Sequence, residues 1–201
     1  YGSRWFCGAQ GCGKTVAMVY YVRKIQKQFP RALAYTNISI KGVESFSGWR
    51  SIVENNNGEY GVVFAIDEIT IWFNNKDSKD FPPDFLQDLN QQRKQRKTTV
   101  GTAQRFGLLP KDLRSLPDFV YLPYTFFGCL TVVLAARPET WDNEKNRFRK
   151  FIFGKTFFFV HDKELRECYD TYERVLRSSR EGFSPNAFLQ ASARARADAQ
   201  E

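Results

Sequence analysis

At 201 residues the chain is long enough for one α/β unit with a buried core and too short for two comfortable ones. Thirty Lys and Arg against 22 Asp and Glu leave a net charge of +8, which favours a polyanionic partner. Four scattered cysteines and one histidine argue against a zinc site, and no apolar run approaches the ~20 residues that span a bilayer.

Trp5-Phe6-Cys7 reads as a short buried strand. Directly after it, Gly8-Ala9-Gln10-Gly11-Cys12-Gly13-Lys14-Thr15 completes the pattern GxxxxGK[ST], and residues 14–28 read as a helix that Pro30 ends. In a strand, glycine loop and helix of this kind, backbone N–H groups wrap a phosphate at a helix N-terminus. Gly8, Gly11, Cys12, Gly13, Lys14 and Thr15 are therefore the candidate nucleotide-binding residues, with ATP and Mg²⁺ as expected cofactors. The loop amides suit the β-phosphate, the Lys14 ammonium the β/γ oxygens, and the Thr15 hydroxyl the Mg²⁺. A disulfide between Cys7 and Cys12 would hinder the loop; with no CxxC pair, the cysteine usage points to a reducing cytoplasm. No signal peptide is visible.

Leu33-Ala34-Tyr35-Thr36 reads as a second strand leading into Asn37. Residues 45–53 predict a short helix, and Asn55-Asn56-Asn57-Gly58 a turn. Val62-Val63-Phe64-Ala65-Ile66 is an unbroken apolar run, the mark of a strand buried on both faces of a helix-covered parallel sheet, and it ends in Asp67-Glu68. Residues 72–80 read as a polar loop. Residues 82–95 read as a helix opened by Pro82-Pro83, with Phe85, Leu86 and Leu89 on its buried side. A fourth strand at 98–102 is closed by Gln104; a short helix at 110–116 and a fifth strand at 119–122 follow. Beyond these, 130–136 and 148–160 read as a long antiparallel hairpin with the polar loop 137–147, and 162–177 as a charged amphipathic helix. From residue 178 Ser, Ala and Arg dominate, as in a flexible tail or an arm that folds on a partner. The expected fold class is α/β: a P-loop NTPase core of mostly parallel sheet flanked by helices, plus a C-terminal antiparallel β-hairpin and helix, over residues 1–177, followed by the tail 178–201.

Ligands of such a sheet bind at the carboxyl ends of the strands, where the glycine loop, Asp67-Glu68 and Gln104 all fall. Asp67 suits the outer sphere of a Mg²⁺ held by Thr15, and Glu68 suits a base that orients and deprotonates a water attacking the γ-phosphate. The bland alternative is that both merely terminate a strand. The Gln104 amide suits contact with the γ-phosphate or that water. Arg93, with Arg96 as second choice, suits a guanidinium supplied to a neighbouring subunit; DNA phosphate contact or solvation is the alternative for both. Lys14, Glu68, Gln104 and Arg93 make up the candidate catalytic set, and Thr15 and Asp67 the metal pair. Between residues 93 and 114 seven cations stand against Asp112 alone, a local +6, and Arg147, Arg149, Lys150 and Lys155 form a second cluster.

The segment 62–114 is similar to the zonular-occludens-toxin-type (Zot) ATPases of phages, within the wider FtsK/HerA superfamily of DNA pumps. The resemblance is carried by Val63-Phe64-Ala65-Ile66-Asp67-Glu68, by Arg93, by Thr102-Ala103-Gln104-Arg105-Phe106 and by Lys111-Asp112-Leu113-Arg114. Tyr35-Thr36-Asn37-Ile38 resembles the family's second strand, and Tyr169-Asp170-Thr171-Tyr172 its C-terminal segment. Family members carry an Arg eleven residues before the strand-end Gln, the interval from Arg93 to Gln104 here. The resemblance implies a homo-oligomeric ring, a hexamer, that couples ATP hydrolysis to movement of DNA in genome packaging or in virion assembly and export. It also implies capsid-vertex or coat proteins as partners, in the host cytoplasm, on the virion, or at the inner membrane through partners. Two features depart from it. Lys94 stands where many relatives place a His, and the membrane span that many filamentous-phage relatives carry after the ATPase domain is not in this sequence. A motor indifferent to sequence grips phosphates, so Arg105, Lys111, Arg114, Arg147, Arg149 and Lys150 are candidate DNA contacts. Phe106, Trp141 and Phe148 either stack on single-stranded bases or fill the core. Two rival readings stay open: a P-loop kinase of a small molecule or nucleotide, and an ATP-gated assembly scaffold that does not grip DNA.

Overall fold

Residues 1–46, 48–73 and 83–169 are described by a computed structural model of the chain. Among the described residues ten strands and six α-helices follow one another as β1 (Gly2–Cys7), α1 (Lys14–Gln28), β2 (Leu33–Thr36), β3 (Glu44–Ser45), α2 (Arg50–Glu54), β4 (Val62–Ile66), α3 (Ile69–Trp72), α4 (Pro83–Asn90), β5 (Lys97–Ala103), α5 (Lys111–Ser115), β6 (Phe119–Phe126), β7 (Leu130–Ala136), β8 (Trp141–Asp142), β9 (Arg147–Phe148), β10 (Phe157–Val160) and α6 (Lys163–Glu167). Eight of the strands form one sheet in the order β10-β7-β6-β1-β5-β4-β2-β3. From β6 to β3 every pairing is parallel; β7 and β10 add antiparallel strands at one edge. The α/β P-loop architecture expected from the sequence is the one observed.

Alternation along the strands explains why both faces are covered. Trp5 and Cys7 of β1, and Val62, Phe64 and Ile66 of β4, join one core with Ile69, Leu89 and Leu113. Their neighbours Phe6, Val63 and Ala65 join a second core on the opposite face, with Val16, Ala17, Met18, Val19 and Val22 of α1. Two apolar faces on one strand leave it no wet side, hence the unbroken apolar run in β4. The Trp5 indole N–H reaches the Leu113 carbonyl at 2.7 Å and ties α5 to the sheet.

Within the sheet, β5 separates β1 from β4, so the strand that precedes the glycine loop and the strand that ends in Asp67-Glu68 are not neighbours. The carboxyl end of β5 thereby falls between them. Its amino end is anchored by Lys97, which is buried. The Lys97 ammonium donates to the Ile52 and Val53 carbonyls at 2.8 and 2.9 Å and to Asp88 of α4 at 3.0 Å.

Several expectations need correction. The hairpin expected between 130–136 and 148–160 holds only in part: Phe157–Val160 (β10) pairs antiparallel with β7, but the strand joined to β7 by a tight turn is β6. Phe127 and Gly128 both adopt left-handed φ, +52° and +64°, and Cys129 N–H donates to the Phe126 carbonyl at 3.1 Å. That tight turn folds β6 straight back onto β7, because mirror-image turns match the twist of paired strands. Of 148–160 only β10 joins the sheet; Arg147 and Phe148 pair instead with Trp141 and Asp142. The helix read at 45–53 is shorter, since Glu44–Ser45 pairs alongside β2. The helix read at 82–95 is α4, Pro83–Asn90. It gives way to turns that close with Lys97 N–H on the Gln92 carbonyl, and Arg96 sits at φ +55°. Asp162 caps α6 by accepting Leu165 N–H at 2.7 Å, and α6 ends at Glu167. The Cys168 carbonyl takes Lys41 N–H and Tyr169 bridges to Ile40, which draws the backbone out of the helix. The tail 178–201, most of the loop 72–80 and the second half of the helix read at 162–177 lie outside the described residues.

Candidate functional site

The glycine loop joins β1 to α1 at the carboxyl edge of the sheet. Gly8 N–H donates to the Ala103 carbonyl at 3.2 Å, fastening the loop's start to β5. Gly11 and Gly13 have φ of +78° and +96°. At Gly13 a Cβ would also collide with the Thr125 hydroxyl, so conformation and space both require glycine there. Helix α1 starts from Gly13 without a side-chain cap and without an acidic residue in its first turn, which leaves its first N–H groups for an anion. Lys14 is buried, with its ammonium on the Ala9 carbonyl at 3.0 Å.

Asp67 meets this loop from β4. Thr15 Oγ1 lies 3.1 and 3.3 Å from the two Asp67 carboxylate oxygens. This pair is made of oxygen donors alone, the set that suits a hard cation such as Mg²⁺. Among the described residues no group of three or more His, Cys, Asp or Glu side chains gathers elsewhere into a metal cluster. Burial pushes the Asp67 carboxyl above its ordinary range, while hydrogen bonds from Thr102 and Thr15, the Lys14 charge and the Glu68 amide hold it down.

Two residues to which sequence reasoning gave no role hold Asp67 in place. Asn37 clamps its backbone from β2: the amide nitrogen donates to the Asp67 carbonyl at 2.9 Å, and the amide oxygen accepts Asp67 N–H at 2.7 Å. Thr102, fully buried on β5, donates to Asp67 Oδ1 at 2.7 Å and accepts Glu68 N–H at 2.8 Å. The available signal was a short polar side chain at the carboxyl end of each of two strands flanking β4. Glu68 itself sits at φ +51°, ψ +51° and opens α3, a left-handed conformation costly for a residue with a Cβ.

Gln104 is exposed and follows β5. With Cys7, Gly8 and Ala9 it lines a cleft of about 430 Å³ whose far wall carries Phe106, Trp141 and Phe148. Those three rings pack on one another with centroids 4.9 to 5.4 Å apart, and Phe106 and Phe148 are buried. They form the small core that fastens the β8–β9 hairpin to the rim, with Trp141 left half-buried on the cleft. Cys7 and Cys12 are free thiols, and burial pushes both up.

The structure splits the local +6 of residues 93–114. Lys97 is interior and paired with Asp88. Arg93 and Arg96 lie at the amino end of β5. There Arg93 pairs with Asp118 at 2.6 Å and Arg96 donates to the Glu59 carbonyl at 2.9 Å. Arg105 and Lys111 lie past the other end of β5 and are exposed. Seven residues at roughly 3.3 Å a step put about 20 Å between the two ends. Arg93 is therefore remote from its own chain's glycine loop. On the rim, Arg147 and Lys150 are exposed, Arg149 pairs with Asp142 at 3.1 Å, and Arg114 donates to Asn143 at 3.3 Å. The Asp142 carboxyl is held below its ordinary range, chiefly by the Lys145 amide and also by Arg149. No helix among the described residues is long and apolar enough to cross a membrane.

No protein-family model and no curated protein matches the chain. Among solved structures, the N-terminal domain of zonular occludens toxin from Neisseria meningitidis matches at 19% identity with a TM-score of 0.59, covering 84% of this chain and 98% of that one. The genome packaging NTPase B204 of Sulfolobus turreted icosahedral virus 2, solved with ATP-gammaS, matches at 12% identity with a TM-score of 0.49, covering 80% of this chain and 97% of that one. The first likeness bears out, at the level of fold, the Zot-type resemblance read from residues 62–114.

Proposed function

We propose that this chain hydrolyses ATP and that copies of it use the reaction to move DNA during viral genome packaging or virion assembly and export. The observation that carries the reading is the meeting of Lys14 and Thr15 with Asp67 and Glu68, with Gln104 lining the adjoining cleft. In the reaction, the loop amides and Lys14 bind and orient the phosphates. Thr15 and Asp67 would hold Mg²⁺, which supplies charge neutralisation on the phosphate oxygens. Glu68 takes the proton from a water, and the Gln104 amide orients that water or the γ-phosphate. A kinase would need a hydroxyl substrate in the place of this water.

Arg93, too far from its own loop to serve it, is assigned to the site of a neighbouring copy, where its guanidinium offsets charge on the transferred phosphoryl group. That assignment makes the working form a homo-oligomeric ring, a hexamer on the family resemblance. Arg105 at the cleft, Arg147, Arg149 and Lys150 on and beside the β8–β9 hairpin, Arg114 bonded to that hairpin at Asn143, and exposed Lys111 of α5 suit sequence-independent phosphate contact. The test is ATP turnover with and without single- and double-stranded DNA, read alongside the oligomeric mass. DNA-stimulated turnover by an oligomer that is abolished in Lys14→Ala is expected, with Glu68→Gln binding ATP but stalling. A monomer that passes the terminal phosphate to a metabolite would overturn the reading.

A further inference from the structure

A line of hydrogen bonds runs from the surface to the back of the glycine loop. Thr125 Oγ1 donates to the Cys12 carbonyl at 3.2 Å. Thr125 and Thr131, directly paired across the β6–β7 hairpin, have hydroxyls 2.7 Å apart. Thr131, fully buried, lies 2.7 Å from His161 Nε2.

Proton counting gives this line a direction. A carbonyl only accepts, so the single Thr125 proton is spent on Cys12. Thr131 must then donate to Thr125, and with its one proton spent it can only accept from His161. The ring nitrogen Nε2 must therefore carry hydrogen. The ring is held from behind: it stacks on Phe159 at 5.6 Å, and its backbone N–H donates to the Cys129 carbonyl in the hairpin turn at 2.7 Å. Burial and the Arg166 charge hold His161 below its ordinary value, so the ring is neutral at mildly alkaline pH.

The loop end of the line matters because a trans peptide is planar, with its C=O and the following N–H pointing in opposite directions. Fixing the Cys12 carbonyl onto Thr125 aims the Gly13 N–H the opposite way. The Thr125 hydroxyl fills the space a side chain at residue 13 would take, so the peptide is also held sterically. We propose that Thr125, Thr131 and His161 are positioning residues for nucleotide binding: a one-way chain that fixes the Cys12–Gly13 peptide so that its N–H serves the phosphates. This rests on the reading of the glycine loop as an ATP site.

Two measurements test it. His161 is the chain's only histidine, so its ring ¹⁵N resonances need no assignment. In the wild-type chain at mildly alkaline pH we expect the Nε2–H tautomer, and in Thr131→Val a shift toward a mixture; an Nδ1–H ring in the wild type would overturn the chain's direction. For turnover, Thr125→Val should raise KM for ATP about tenfold, the effect of one hydrogen bond to an ionised group, with kcat within about twofold. Thr125→Ser should restore it, and Thr131→Val and His161→Phe should give the same split to a smaller degree. An unchanged KM in Thr125→Val, with Lys14→Ala inactive, would overturn the positioning role and leave the ATP site standing. Normal turnover by Lys14→Ala would overturn both.

Discussion

Replacing Thr102 by Val removes one hydroxyl from a fully buried position without changing the side chain's shape, and two groups lose their partner. The Asp67 carboxylate loses its 2.7 Å donor, and the Glu68 amide is left with no acceptor. A hydrogen bond to an ionised acceptor contributes about 1.5–3 kcal/mol and an orphaned buried N–H costs about 1–3 kcal/mol. Because the Thr15 hydroxyl remains on the same carboxylate, we take about 3 kcal/mol as the combined loss at neutral pH. For a chain of this size that lowers Tm by about 6–12 °C.

The loss should also depend on pH. Burial already holds Asp67 above the ordinary carboxylate range, and Thr102 opposes that rise. The substitution pushes the folded-state value further up. An acid raised in the folded state binds its proton more tightly there, so stability falls as pH climbs from the unfolded value, about 4, through the folded one. Below that window Asp67 is protonated in both states and the charge-assisted bond is not at stake. Unfolding followed at about pH 3.5 and about pH 8 should therefore show a deficit that widens with pH. ATP turnover should drop at least about tenfold, since Glu68 loses the bond that fixes its amide. A deficit equal at the two pH values, or below about 1 kcal/mol at the higher one, would refute this account of Thr102.

Asn37→Ala should cost about 2 kcal/mol and depress turnover, because both backbone groups of Asp67 lose their clamp; an unchanged melt would discount it. Lys97→Met should cost about 3–5 kcal/mol in urea unfolding by stranding the buried Asp88 carboxylate. Lys97→Met/Asp88→Leu should recover more than half of that, and no recovery would mean that the pair is not what Lys97 supports. Arg93→Ala subunits mixed with Glu68→Gln subunits should regain some hydrolysis where one copy's arginine serves another's site, and silence at every mixing ratio counts against that role.

Much of the site could be read from the residues because its parts lie at strand ends. Strand β4 was legible from Val62 to Ile66, since a strand buried on both faces shows no alternation, and its end marked Asp67 and Glu68. Helix α1 was legible at both ends from the glycine loop and Pro30. The β6–β7 turn went unread, although the antiparallel pairing of β7 with β10 was legible, because Phe127, a bulky residue at positive φ, is not the residue a tight turn announces itself with. The clustering of charge along the sequence misled for a different reason. A strand carries neighbouring residues to opposite ends of the molecule, so Arg93 and Arg105 are close in the chain and far apart in space. Asn37 and Thr102 escaped notice because their role depends on which strands flank β4, and strand order is a tertiary fact.

Strand β5 links the two arginine-bearing regions in a further way. All seven of its residues are buried, and it is hydrogen-bonded along both sides, to β1 and to β4. Such a strut has no slack with which to absorb a push by bowing. It spans the distance between the Gln104 tip and the turns that carry the Arg93–Asp118 pair at the opposite pole. Under the proposed function, a copy docked at that corner would sit against the far end of the strut whose near end borders the cleft beside the glycine loop.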